Sequence, residues 1–364
     1  MGIREIVDGN VALGERLAKL RAFGHLIRNS EYHVTNACNI RCKGCWFFAY
    51  DFDQTTSDLK SLEGWREFIA SERTRGVTSA LLIGGEPTLY PDRVAAFVEG
   101  MPYVTLSSNG LQKLPREGFE NVAIGLTLFG GGRHDDAMRA IKPNGKTFEG
   151  LFETVLENYE HDDRAVFIYA LTDEACDEIE PTIRRIRDNG NQACLNYYSL
   201  YGTSDPLGGA EERSRDVLAE ALRVQEEYPE TLICDPYYIR TLLTGRTDWG
   251  SFGYDTCPSI SVDHPAHKDR IKNGNRVLPL FNSYAADTKT VNFCCTSGHC
   301  DGCRDSQAVY SWLLVSVEHF VDSPDSLATW LNMAENYWRQ WVWSPYHPRA
   351  KRQAAERSEA ALSA

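Results

Sequence analysis

Residues 31–45 read EYHVTNACNIRCKGC, and this run decides the fold. Glu31 to Asn36 is strand-like and stops directly before a group of three cysteines, Cys38, Cys42 and Cys45. Working outward, residues 10–28 look like a short amphipathic helix and residues 57–75 like a polar helix ending at Gly76. TSALLIG (78–84) is short, apolar and bounded by Gly84-Gly85, as a buried strand would be. A helix over 91–100 follows, then YVTLSS (103–108), closed by Asn109-Gly110. NVAIGLTLF (121–129) is a further apolar run and ends in Gly130-Gly131-Gly132. Residues 146–160 read as helix, AVFIYAL (165–171) as strand, 175–189 as helix and QACLNYYSL (192–200) as strand.

Six strand candidates alternating with helices predict βα units on a parallel sheet. Right-handed crossovers curl such a sheet, so the expectation is α/β: a partial (β/α)6 TIM-type barrel. Functional groups of these sheets gather at the carboxyl ends of the strands. The cysteine group, Gly84-Gly85-Glu86, Ser107-Ser108-Asn109 and the Gly130 loop all follow strand candidates and should share one mouth. After about residue 205 the pattern changes, with helices expected at 211–227 and 306–320 and a cysteine-bearing region between. Five tryptophans (312, 330, 338, 341 and 343) are read as packing against the barrel. The expected division is an N-terminal helical segment (1–30), the barrel core (31–205), a second cysteine-bearing region with C-terminal helices (206–343) and a mobile tail (344–364).

The 364 residues, 24% charged and 42% hydrophobic, are of globular composition. Lys+Arg 38 against Asp+Glu 51 gives a net charge of −13, which disfavours nucleic acid as a partner. No apolar run reaches signal-peptide or membrane-span length, so a cytoplasmic protein is expected. In a reducing compartment, clustered cysteines read as metal ligands or catalytic thiols and not as disulfides. Of the 11 cysteines, three form the first group and five (Cys257, Cys294, Cys295, Cys300 and Cys303) the second. Cys176, Cys194 and Cys234 read as small apolar residues.

C-x3-C-x2-C places three thiolates on one tight loop, which suits a cubane iron–sulfur cluster with one iron left open. A zinc site would recruit a fourth Cys or His nearby, and none follows within twenty residues of Cys45. Glycines at 84 and 85 permit close backbone approach. Gly130-Gly131-Gly132-Arg133-His134 is read as a polar loop, in which Arg133 can grip a carboxylate and His134 can shuttle a proton. In the second group Cys300-x2-Cys303 is a metal clip, which structural zinc would also fit.

Cys38, Cys42 and Cys45 after one strand, with Gly84-Gly85-Glu86-Pro87 after the next, resemble the radical S-adenosylmethionine (SAM) enzymes over residues 30–200. That resemblance implies a [4Fe–4S] cluster on the three cysteines, whose open iron is chelated by the amino and carboxylate groups of SAM. It implies reductive cleavage of SAM to a 5′-deoxyadenosyl radical that abstracts hydrogen from substrate. It implies SAM contacts from Gly84, Gly85, Glu86 and Pro87, from Ser107, Ser108 and Asn109, and from an aromatic wall of Trp46 and Phe47. Where the family often has an aromatic residue directly before the third cysteine, this chain has Gly44. The second group then resembles SPASM or twitch extensions, implying one auxiliary [4Fe–4S] cluster on Cys257, Cys294, Cys300 and Cys303. Cys295 would be a surplus thiol able to donate a hydrogen atom.

The expected function is hydrogen abstraction from a small polar metabolite (sugar, nucleoside or amino-acid-derived) in natural-product biosynthesis, with oxidation assisted by the auxiliary cluster. A flavodoxin or ferredoxin would be the electron donor. The alternatives are a peptide-modifying maturase, a redox-neutral epimerase, decarboxylase or C–C bond-forming enzyme, and a non-catalytic iron–sulfur or zinc protein. The 37 residues before Cys38 are too few for a leader-peptide recognition domain, which favours the metabolite.

Overall fold

The computed structural model describes residues 2–49, 51–197, 211–244, 280–292 and 306–341. Six parallel strands follow the sequence alternation: β1 (Asn29–Thr35), β2 (Ser79–Gly84), β3 (Tyr103–Ser108), β4 (Val122–Leu128), β5 (Ala165–Leu171) and β6 (Gln192–Tyr197). They lie in the order β6-β5-β4-β3-β2-β1, and two further strands extend the β1 edge, β7 (Ser283–Tyr284) and β8 (Val291–Asn292). β7 runs parallel to β1, and β8 antiparallel to β7. Among the described residues the sheet does not close, so the architecture is the expected partial barrel. Every residue of β1 and of β5 is buried, as strands covered on both faces must be.

Alternate residues of β1 divide between the two faces. Tyr32 points outward, its ring 4.9 Å from Phe97 on the Pro91–Gly100 helix and 5.6 Å from Phe68 on the Leu62–Arg75 helix. Glu31 points inward and lines the cavity described below. The helices begin and end where local chemistry dictates. Asn10 caps Val11–Leu26 through Leu13 N, and Ser61 caps Leu62–Arg75 through Gly64 N. Gly76 closes that second helix at φ 98°, a left-handed C-cap that glycine adopts without steric cost.

Four features depart from the sequence reading. First, the β3-to-β4 crossover has no helix. Residues 109–121 are held instead by side chains from elsewhere. Arg164 donates to the carbonyls of Leu114, Pro115 and Phe119 at 2.8–3.1 Å, and Asn158 donates to those of Gly110 and Leu111. Second, the glycine-rich stretch is not a loop throughout: Arg133–Arg139 is helical. Third, the helix expected from 146 starts at Leu151, because residues 141–147 fold back on themselves through an Ile141–Thr147 bridge. Fourth, β7 and β8 are two residues each, too short to show a period in sequence.

The C-terminal helix Pro324–Trp341 packs on the N-terminal helix Val11–Leu26. Trp338 meets Phe23 edge-on at 5.6 Å, and Arg16 holds Glu335 at 3.0 Å. Trp312, Trp330 and Trp338 are buried, in agreement with a packing role. Among the described residues no helix is long and apolar enough to cross a membrane.

Candidate active site

The first cysteine group leaves the carboxyl end of β1 on a fastened base. Asp58 accepts from Thr35 Oγ1 at 2.7 Å, from Asn36 N at 2.8 Å and from Arg93 at 2.7 Å. β2 ends beside it, with Gly85 N donating to Thr35 O and Glu86 N to Ala37 O, both at 2.8 Å. Here the glycines have a reason the sequence did not reveal. A Cβ on Gly84, at φ 121°, would sit 2.6 Å from Thr35 O, and one on Gly85 would overlap Ala37 O. These glycines therefore admit the backbone of the cysteine loop itself.

The loop turns at Gly44, whose φ of 63° is left-handed. A residue with a Cβ would be strained at that position, so the turn favours glycine there. Arg41 N donates to Ile141 O at 2.7 Å and Lys43 N to Met138 O at 2.8 Å, so the loop rests on the end of the Arg133–Arg139 helix. Cys38, Cys42 and Cys45 are all partly exposed and line one cavity of about 310 Å³. Burial pushes the Cys38 thiol up to about 11 and the Cys42 thiol up to about 12, and Cys45 is raised for the same reason. The thiols also repel one another's ionisation. Three such groups become thiolates together when a multivalent cationic centre holds them. Three soft sulfur donors on one cavity wall are the donor type that an iron–sulfur cluster takes, while among the described residues no three such side chains are grouped closely enough to hold a single metal ion.

Gly84, Gly85, Glu86, Ser107, Ser108 and Asn109 line the same cavity, as expected from their strand ends. Glu86 is fully buried and accepts from Thr88 N, Thr88 Oγ1, Ser108 Oγ and Asn109 N at 2.7–3.1 Å. Burial raises its pKa against those four donors. Its carboxylate therefore fixes the end of β3 as well as facing the cavity. Asn109 carries that fixing to the cysteine loop, donating to Asn39 Oδ1 at 2.7 Å.

Several expected positions are placed elsewhere. Phe47 is buried against His33 and Phe52, so it belongs to the core and does not wall the cavity. Phe48 lines the cavity instead, with the Arg41 guanidinium 3.9 Å over its ring. Pro87 opens a short 3-10 turn behind the wall. Arg133 is exposed, and His134 Nε2 lies 2.9 Å from Thr172 Oγ1; neither lines the cavity. The side chain of Trp46 lies outside the described residues, as do Cys257, Cys294, Cys295, Cys300 and Cys303.

Sequence reasoning missed Asp135 and Arg139. Both are fully buried and pair at 3.1 Å, one turn apart on the helix that supports the cysteine loop. Asp135 also accepts from Phe129 N at 2.7 Å, and Arg139 donates to Asn109 O at 3.1 Å. Arg139 lines the cavity, and its Nε has no nitrogen or oxygen partner among the described residues. It stands beside Cys42 and draws that thiol's pKa down against burial. The available signal was the Asp-x3-Arg spacing, which has meaning only on a helix.

No family model matches the chain. A curated S-adenosylmethionine-dependent nucleotide dehydratase from Thermoplasmatales archaeon (strain ISO4-H5) is 33% identical over 87 residues, 23% of this chain and 29% of that relative. The chain thus spans under a third of the curated relative it matches. Among solved structures, anSMEcpe with bound AdoMet is similar at 13% identity and a TM-score of 0.45, over 59% of this chain and 65% of that one. Streptococcus suis SuiB bound to precursor peptide SuiA is similar at 16% identity and a TM-score of 0.41, over 59% and 49%. Over those 87 residues the chain is similar to a SAM-dependent enzyme, and its cysteine loop and Gly84-Gly85-Glu86-Pro87 stretch meet at the strand ends of one open parallel sheet, the arrangement that the radical SAM resemblance implies.

Proposed function

We propose that the chain binds SAM at the 310 Å³ cavity and uses it to abstract a hydrogen atom from a substrate. The observation that carries the reading is the convergence of Cys38, Cys42 and Cys45 with a buried cation, Arg139, on one cavity wall. When held by the three cysteines, a [4Fe–4S] cluster supplies the electron that breaks the sulfonium C–S bond, giving methionine and a 5′-deoxyadenosyl radical. The chain's residues supply recognition. Arg139, which lines the cavity beside Cys42, offers a charged donor to the SAM carboxylate. Ser107 offers a hydroxyl to ribose, Phe48 a ring face to adenine, and Glu86 a carboxylate to the ammonium. Asn109 keeps the cysteine loop in register with these groups.

The outcome proposed is oxidation of the substrate radical; Cys257, Cys294, Cys300 and Cys303 would hold an auxiliary cluster, which would supply an electron acceptor when bound. A flavodoxin or ferredoxin is the proposed donor to the SAM cluster. The substrate is read as a small polar metabolite, supported by the nucleotide dehydratase relative. A second reading, a peptide-modifying maturase, stands beside it: solved structures of similar fold hold the Cp18Cys peptide and precursor peptide SuiA.

Anaerobic protein given SAM and a strong reductant should form 5′-deoxyadenosine, and Cys42→Ala should abolish it; formation that persists in the variant overturns the assigned cluster site. Two cubanes give about eight irons per chain, whereas four irons with one zinc overturn the auxiliary cluster. Deuterium transfer into 5′-deoxyadenosine from labelled extract fractions separates the substrate classes, since a peptide donor elutes with high-mass fractions.

A further inference from the structure

The outer side of the cysteine loop carries positive charge, against the sign of the molecule. The chain has a net charge of −13, yet residues 32–50 and 137–148 contain no Asp or Glu. Of their cations, Lys43 lines the cavity and Arg41 lies over Phe48 beside it, so Lys142 and Lys146, with Glu149 just beyond them, are the charges of the outer side. The two stretches are joined by the Arg41 N to Ile141 O and Lys43 N to Met138 O hydrogen bonds. Residues 141–147 fold back through the Ile141–Thr147 bridge and the Lys142 N to Lys146 O bond, which presents both exposed lysines on one projection.

Between that projection and the loop lies a groove of about 410 Å³ lined by Asn39, Leu111, Lys142, Pro143, Asn144 and Phe148. Its wall at Asn39 is one residue from Cys38, whose Sγ is 3.9 Å from Asn39 Oδ1. Lys142 lies 5.9 Å from the Phe148 ring centroid, and neither Lys142 nor Lys146 joins an ion pair among the described residues. Elsewhere exposed arginines are neutralised, as Arg116 is by Asp163, Arg185 by Glu153 and Arg223 by Glu220.

We propose that this groove and its basic rim are the docking surface for an acidic flavin-carrying electron-transfer protein. The proposal rests on the enzyme reading above, because a cluster on Cys38, Cys42 and Cys45 needs one electron for each SAM cleaved. Flavin hydroquinone gives up one electron and one proton to become the neutral semiquinone, the cluster gains the electron, the proton passes to solvent, and no bond forms between the proteins. Two acidic surfaces repel, so a chain of net charge −13 needs a local patch of opposite sign where the carrier approaches. Redox encounters bury little area, and charge rather than contact area governs their rate. The groove places that patch one residue from a cluster ligand, with an apolar side chain, Phe148, to receive the exposed edge of a flavin.

The test is anaerobic stopped-flow reduction of the reconstituted enzyme by a purified acidic flavodoxin in its hydroquinone form, with dithionite, a small anion that needs no docking surface, as the control route. Wild type should show a second-order rate constant that falls steeply with salt. Lys142→Glu/Lys146→Glu should lower it by about tenfold or more at low salt and flatten the salt dependence. Lys142→Gln/Lys146→Gln should lie between. Reduction by dithionite and the iron content should not change, and calorimetric binding of oxidised flavodoxin should weaken in the same order. Equal flavodoxin rate constants and salt slopes in wild type and the charge-reversed variant overturn the docking surface. A wild type that dithionite itself cannot reduce overturns the enzyme reading, and the docking surface with it.

Discussion

Arg139 shows how much one residue can carry here. It is fully buried, holds Asp135 and the carbonyl of Asn109, and stands against Cys42. A buried ion pair contributes little net stability, but breaking one side leaves a desolvated charge. Arg139→Met should therefore cost about 3–5 kcal/mol in urea unfolding. The double variant Asp135→Asn/Arg139→Met should recover part of that loss. A double variant less stable than Arg139→Met alone would show that the pair's charge is not the source of the cost.

At the scale of elements, the crossover from β3 to β4 is where the strand–helix alternation lapses, and the sequence offered no helical period there. Residues 109–121 have no helix and take their shape from Arg164 and Asn158, which lie far along the chain. Arg164 is itself held by Asp162, at 2.6 Å. Burial alone would raise the Asp162 pKa, but the Arg164 guanidinium and its hydrogen bonds outweigh burial and hold the carboxyl below its usual range. A depressed carboxyl pKa gives stability that is present above the ordinary value of about 3.9 and is lost as pH falls through the folded value. The stability gap between wild type and Asp162→Asn should thus be full near neutral pH and narrow in that acid window. A gap that stays constant on acidification would remove the Arg164–Asp162 pair as its cause. The strands were far more legible, because apolar runs bounded by glycine report burial directly, and all six fall within two residues of their expected starts. Arg133–Arg139 was not legible: three glycines before it read as a loop, while the helix is fastened from outside, by Asp135 accepting from Phe129 N and by the buried Arg139.

Across the whole molecule, the two ends of the described chain are packed together. Apolar area and charge contribute unequally to that closure. Trp338 is buried against Phe23 and Tyr337, whereas Arg16 and Glu335 keep 33% and 25% of their side-chain surface in solvent. Trp338→Ala should cost about 3–5 kcal/mol by denaturant titration, and Glu335→Gln about 1 kcal/mol or less. Comparable losses in the two variants would mean that the ion pair contributes as much as the aromatic contact to joining the ends.

By itself the sequence determined the parallel sheet and the three-thiol loop, because burial periodicity and ligand spacing are local properties of the chain. It also determined that the cradle residues converge, since strand ends of one parallel sheet must meet. Only the tertiary structure decided why the cradle is glycine: the Cβ that would intrude meets Thr35 and Ala37, residues about fifty positions earlier. Only it exchanged Phe47 for Phe48 at the cavity, and Arg133 and His134 for Arg139. Adjacent side chains on a tight turn or helix point in different directions, and which of them faces the cavity depends on packing that no short stretch of sequence contains.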